Sequence, residues 1–206
     1  MALTTAHLSM SVDGYSAGPE QTFEEPLGRG GEELHHWYYP PEDRPLHEVD
    51  VPWAADIQRP RDAYVMGRNM FGPVRGPWSS YDGEWRGWWG EEPPYHAPVF
   101  VLTHHDHDPI EMAGGTTFYF VTGGVTEALR RAREVGDGDV LVAGGASTVR
   151  QALAAGEVDE LWVHVAPRLL GAGEHFGADT TGALEILDAA SSPYATHVRY
   201  RVQRAG

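Results

Sequence analysis

Apolar residues gather along the chain in short runs: 63–66 (AYVM), 99–103 (VFVLT), 117–122 (TFYFVT), 140–143 (VLVA) and 160–166 (ELWVHVA). Runs of this length suit strands buried on both faces and are too short for core helices. Residues 3–10 (LTTAHLSM) predict a first strand, and 184–187 and 196–203 the last two. The final one alternates apolar with polar positions, as an antiparallel strand with one wet face does. Between strands the spacing changes. In 123–135, Val125, Leu129 and Ala132 fall on one side while Arg130, Arg131 and Arg133 take the other, which predicts a helix. In 147–153, Val149, Ala152 and Leu153 share a face that Arg150 and Gln151 avoid. Residues 32–39 (EELHHWYY) predict a short helix with acids in its first turn, ended by Pro40 and Pro41. Residues 44–60 predict irregular structure around Pro52 with no more than one helical turn. Strands alternating with helices predict an α/β domain: a mostly parallel sheet, helices on both faces, and an antiparallel C-terminal edge.

The length, 206 residues, suits a single domain over 1–206 with enough buried surface to fold alone. One stretch departs from that economy. Residues 72–98 carry Trp78, Trp85, Trp88 and Trp89 among glycines, prolines and acids, too long and aromatic for a simple connection. This insertion predicts a lid or cover over a pocket, or a surface that packs against a second subunit. With no cysteine, disulfides, thiolate metal sites and cysteine nucleophiles are excluded. The net charge is −15 and lysine is absent, so nucleic acid is disfavoured as a partner and lysine chemistry is excluded. No run approaches the roughly 20 apolar residues of a membrane span, and the N-terminal residues lack a basic, then apolar, leader. A soluble cytoplasmic protein is expected.

The chemistry concentrates where strands end on glycine. In 139–153 (DVLVAGGASTVRQAL), the strand turns on Gly144 and Gly145 into a helix. Glycines let backbone approach a ligand closely, and a helix N-terminus favours negative charge, so the turn is a candidate phosphate site. The strand at 63–66 likewise runs into Gly67, Arg68 and Asn69. Ligands of parallel α/β sheets bind at the carboxyl ends of strands, which places Gly14, Gly67, Thr103 and Gly144 along one rim. Two glycine junctions could anchor the two ends of a dinucleotide, with Arg68 offering a fork of donors and Thr103 and His104 further hydrogen bonds. The run from His104 to Asp108 (HHDHD) lacks the helical spacing of a metal pair, so no metal is expected. No G-x-S-x-G elbow is present.

In order, MSVDGY, VMGRNMF, VLTHH, VAGGASTVRQAL and DELWVHVAPRLLGAG resemble the dihydrofolate-reductase-like fold. They are most similar to the branch containing the C-terminal reductase domain of bacterial riboflavin biosynthesis. The resemblance spans nearly the whole chain. It implies an NADPH-dependent reductase, often a homodimer, acting on a small molecule. Carried over, Gly67, Arg68 and Asn69 start the helix that holds the adenosine-side phosphates, and Thr103 and His104 lie near the ribose 2′-phosphate. Gly144, Gly145, Ala146, Ser147 and Thr148 wrap the pyrophosphate, and Val12, Asp13 and Gly14 form the turn beside the nicotinamide. Met70 departs from the pattern, standing where many members have threonine.

The substrate side is thinner. Glu33 sits near the place of the acid that protonates the pterin in dihydrofolate reductases, although Glu32 and Glu33 equally suit a solvated helix start. Tyr15 and Trp37 could flank a flat ring, pointing to a pterin, flavin or riboflavin-pathway pyrimidine. A non-catalytic nucleotide- or flavin-binding protein with the same fold is the alternative.

Overall fold

The structure, a computed structural model, describes residues 2–72, 76–177 and 180–203. Residues 73–75 of the expected insertion, and 1, 178–179 and 204–206 of the expected domain, lie outside these. The main sheet has nine strands: β1 (Thr4–Ser11), β3 (Ala63–Gly67), β4 (Pro98–Leu102), β5 (Ile110–Glu111), β6 (Thr117–Val121), β7 (Val140–Gly144), β8 (Glu160–Ala166), β10 (Ala183–Ser191) and β11 (Thr196–Gln203). Their order is β10-β11-β8-β1-β7-β3-β4-β6-β5, while β2 (Tyr15–Ala17) and β9 (Glu174–His175) form a separate pair. The expected α/β architecture with an antiparallel C-terminal edge is present. Contacts group the chain into two compact units, one of Met1–Ala6 with Pro60–Val158, the other of His7–Arg59 with Asp159–Gly206.

The first unit holds the parallel ladder. There β1 pairs with β7, β7 with β3, β3 with β4 and β4 with β6, all parallel, and β5 closes it antiparallel to β6. Helix α3 (Gly124–Arg133) buries Val125, Ala128, Leu129 and Ala132, the stripe its spacing predicts. Helix α4 (Ala146–Ala154) buries Ala146, Thr148, Val149 and Ala152. A short helix, α2 (Arg68–Phe71), follows β3 directly. Within the tryptophan segment, Trp78 and Trp85 pack against this unit's own core, on the cluster containing Phe71, Phe118 and Phe120. The Trp85 indole N–H donates to the Phe71 carbonyl at 2.9 Å, whereas Trp89 remains exposed.

One contact sets how closely β3 and α4 approach. A Cβ placed on Gly67 would lie 2.6 Å from Thr148 Oγ1, and Thr148 is buried. Only a residue without a side chain lets the strand end meet the helix start at this distance.

In the second unit, β11 lies antiparallel to both β8 and β10. Helix α1 (Val51–Gln58) occupies the stretch expected to be irregular. Pro52 falls in its first turn, where the missing N–H costs nothing. Its N-cap residue, Asp50, makes no side-chain cap. The fully buried Asp50 carboxylate instead meets His197 Nε2 at 2.9 Å. His197 faces His164 across the β11–β8 ladder. Their Nδ1 atoms are 2.8 Å apart, and His164 Nε2 is 3.4 Å from His7 Nδ1. Trp37 lies tilted at 4.2 Å from His164 and edge-on at 4.7 Å from His197, and Trp53 stacks on His197 at 5.0 Å. The helix expected over 32–39 is shorter, a 3-10 turn at Glu32–His35. Among the described residues no helix is long and apolar enough to cross a membrane.

Burial pushes His164 well below the usual histidine range, with the neighbouring histidines adding to the effect. Burial also lowers His197, against the pull of Asp50, and lowers His35 to about 4. Because these folded values lie below the unfolded one, their contribution is fully present above about pH 6.5 and is lost as the pH falls toward the folded values. Urea midpoints are therefore expected to hold steady above pH 7 and decline between about pH 6.5 and 4, with each group adding up to about 1.4 kcal/mol per pH unit. His35→Gln should make the decline shallower; a flat wild-type profile through this window contradicts the reading. In the first unit, Gly67→Ala is expected to lower stability by about 1–3 kcal/mol through overpacking against Thr148. Adding Thr148→Ala should restore part of the loss, and additive losses in denaturant unfolding would refute the contact.

Candidate functional site

Two strand-to-helix junctions converge in the first unit. At one, β3 ends on Gly67, which caps α2 in an extended conformation. At the other, β7 ends on Gly144 at φ 122°, a conformation that favours glycine, and the Gly144–Gly145 peptide is cis. The two meet closely: a Cβ on Gly67 would stand 3.8 Å from both the Gly144 carbonyl oxygen and the Gly145 nitrogen. Gly145 differs from its neighbours. Its φ of −70° suits any residue, and a Cβ there would meet nothing within 4 Å. The fold itself does not demand glycine at this position, and the space in front of the backbone is open. Gly145 caps α4 without a side-chain hydrogen bond, as Gly67 caps α2. Ala146 and Thr148 are buried and Ser147 is exposed; the Ser147 hydroxyl accepts from Gln151 at 3.2 Å. A helix start of this kind presents backbone N–H groups and a positive dipole end to an anion.

Arg68 stands beside these junctions in a closed ring of contacts. Its Nη1 donates to Thr103 Oγ1 at 3.0 Å, and that hydroxyl donates to the His105 carbonyl at 3.1 Å. The same carbonyl accepts the Trp78 indole N–H at 3.0 Å. Trp78 returns to the start: the Arg68 guanidinium carbon lies 3.1 Å from its ring centroid. A cation on an aromatic face contributes about 0.5–2 kcal/mol, according to how far it is desolvated. Thr103 is buried, His104 and Asn69 are exposed, and Met70 packs against the core, its sulfur 3.6 Å from where a Gly144 Cβ would be. So Gly67, Arg68, Thr103 and the 144–148 segment come together, while His104 is solvent-facing.

The other expected residues belong to the second unit. Gly14, at φ 84°, forms the turn out of β1, and a Cβ on it would meet the His175 ring at 2.8 Å. Val12 is exposed, its N–H donating to the Arg168 carbonyl at 2.8 Å. The Asp13 carboxylate accepts the N–H groups of Leu170 at 3.1 Å and Gly171 at 2.7 Å. The Ser11 hydroxyl, with those two N–H groups, lowers its pKa to about 2. Tyr15 is half-buried, edge-on to His175 at 5.0 Å. Glu33 pairs with Arg168 Nε at 2.6 Å.

Trp37 needs correction. It is 1% exposed, enclosed by the buried histidines, and its indole N–H donates to Ser9 Oγ at 3.0 Å. A side chain sealed in the core has no face to offer a substrate ring. Sequence reasoning also misses two partners. Arg168 carries a signal, since it stands in the PRLLGAG motif. Trp78 carries none, because nothing local shows which of four tryptophans folds over Arg68. Among the described residues, no group of three or more histidine, aspartate or glutamate side chains is placed to hold a metal.

Comparison with known proteins agrees with this fold. A putative riboflavin biosynthesis protein from Shewanella sp. PV-4 superposes with a TM-score of 0.66 at 21% identity, covering 98% of this chain and 99% of that one. A diaminohydroxyphosphoribosylaminopyrimidine deaminase/5-amino-6-(5-phosphoribosylamino)uracil reductase from Thermotoga maritima gives a TM-score of 0.60 at 13% identity, covering 98% of this chain and 57% of that longer one. Dihydrofolate reductase from Enterococcus faecalis, complexed with NADP(H) and RAB-propyl, gives 0.55 at 13% identity, covering 98% and 97%. At these identities the likeness establishes a dihydrofolate-reductase-like fold. No curated protein matches the sequence. The RibD C-terminal domain model matches residues 3–193, and the chain belongs to that family.

Proposed function

We propose that this protein is an NADPH-dependent reductase that delivers a hydride to a small heteroaromatic or ribosyl-linked substrate of the pterin, flavin or riboflavin-pathway pyrimidine type. The observation that carries this is the meeting of two glycine-capped helix starts at Gly67 and Gly145, with Arg68 beside them. The residues fit an anionic dinucleotide. Open space fronts Gly145, where the backbone does not itself require glycine, and the α4 N-terminus and Arg68 supply donors of the polarity a phosphate needs, with Thr103 orienting the Arg68 fork. Membership of the RibD C-terminal domain family and a fold shared with a dihydrofolate reductase complexed with NADP(H) support the same cofactor.

In this reading Gly144, Gly145, Ala146, Ser147 and Thr148 hold the pyrophosphate, and Gly67, Arg68, Asn69, Thr103 and His104 the adenosine side. Val12, Asp13 and Gly14 border the nicotinamide, with Asp13 fixing that turn to the 170–171 backbone. The bound cofactor supplies the hydride, and the chain's task is to orient it and exclude water. Glu33 is engaged by Arg168, so proton delivery falls to it only if substrate displaces that pair. Tyr15 remains a candidate to flank the substrate ring. The protein is read as a homodimer, for which the exposed Leu184 and Ile186 of β10 offer apolar surface.

Fluorescence titration should show NADPH binding below millimolar concentration, and Arg68→Ala should weaken it about 10- to 100-fold, the loss expected for a hydrogen bond to a charged group. No binding by the wild-type protein defeats the proposal. Binding without NADPH oxidation across pteridine, flavin and ribosyl-pyrimidine substrates supports the non-catalytic alternative instead.

A further inference from the structure

We infer that Trp78 is a positioning residue for the anion site: its indole face sets the Arg68 guanidinium at the carboxyl end of β3 before a cofactor phosphate arrives. The inference rests on the cofactor reading above and adds to it a part for the tryptophan segment.

An arginine side chain has many rotamers, and a phosphate that must gather it from solution gives up binding energy to order it. Here that ordering is built in. The guanidinium lies on Trp78 at 3.1 Å from the ring centroid. One edge donates to Thr103 Oγ1 at 3.0 Å, and Nη2 reaches the Gly76 carbonyl at 3.5 Å. Stacking fixes the plane of the fork, while Thr103 fixes its rotation within that plane. Neither partner is itself loose. The Trp78 N–H is tied to the His105 carbonyl, and its ring packs 4.8 Å from Phe120, 4.8 Å from His107 and 6.0 Å from Phe71. The wall behind Arg68 is thus continuous with the apolar core of the first unit. A purely structural tryptophan needs only the apolar neighbours. This one also presents its face to an arginine that stands at a strand-to-helix junction beside an open glycine backbone.

Calorimetry with NADPH, NADH and inorganic phosphate tests this on four variants: Trp78→Leu, Trp78→Phe, Arg68→Ala and the double variant Arg68→Ala/Trp78→Leu. Thermal melts confirm that each is folded. Trp78→Leu is expected to raise the NADPH Kd about 3- to 30-fold, the span of a lost cation–π contact. Trp78→Phe, which keeps an aromatic face, should lose less, and the double variant should bind no worse than Arg68→Ala alone. A loss confined to NADPH assigns Arg68 to the 2′-phosphate; an equal loss with NADH assigns it to the pyrophosphate. Both support the positioning role. The Arg68 side-chain N–H signals in the NMR spectrum give a readout free of ligand, sharp in the wild type and exchange-broadened in Trp78→Leu. If Trp78→Leu binds NADPH as the wild type does, or if its loss adds to that of Arg68→Ala, the inference falls while the cofactor reading stands. If NADPH does not bind but phosphate does, with the same dependence on Trp78, the cofactor reading falls and the positioning role survives.

Discussion

A missing side chain governs the candidate site. Gly67 approaches Thr148 so closely that a Cβ would sit 2.6 Å from its hydroxyl, and that distance brings the start of α2 against the start of α4. Thr148 is held by the helix it belongs to, whose Ala146, Val149 and Ala152 are buried. The strand cannot retreat either, because β3 is hydrogen-bonded on both sides, to β4 and β7. Packing on three sides therefore fixes the single-turn start of α2, with Arg68, beside the positive end of α4. In a chain of net charge −15, attraction for an anion has to be local, and backbone dipoles with one positioned arginine are a means of supplying it.

The second unit solves a different problem, that of burying polar groups. The Asp50 carboxylate, sealed from water, is matched to His197, and His197 to His164 across paired strands. Asp13 does comparable work at the surface, tying the turn after β1 to the backbone of residues 170–171. In each case a carboxylate near a helix start or tight turn reaches a segment distant in the chain. Buried polar groups need partners of fixed geometry, so these links specify the arrangement of strands more sharply than apolar packing does.

Much of this is legible in the sequence, for identifiable reasons. The apolar runs at 63–66, 99–103 and 140–143 read as strands because parallel strands are covered on both faces and carry no alternation to obscure them. Helix α3 is plain because Val125, Leu129 and Ala132 mark one stripe. The glycines at 67 and 144 stand out because each interrupts an apolar run. What stays hidden depends on residues far apart in the chain or on position within an element. Helix α1 is masked because Pro52 looks like a breaker unless its first-turn position is known. Trp37 resembles a pocket wall because its enclosing histidines arrive from residues 164 and 197. Trp78 is one tryptophan among four until the fold lays it over Arg68.

The central claim is that the two glycine junctions form one anion site. A crystal structure of the protein soaked with NADPH tests it most directly. The expected result is pyrophosphate density against the backbone of residues 145–148, in the open space before Gly145, with Arg68 still stacked on Trp78. Cofactor density elsewhere on the protein, with the Gly145 space filled by solvent alone, would contradict it.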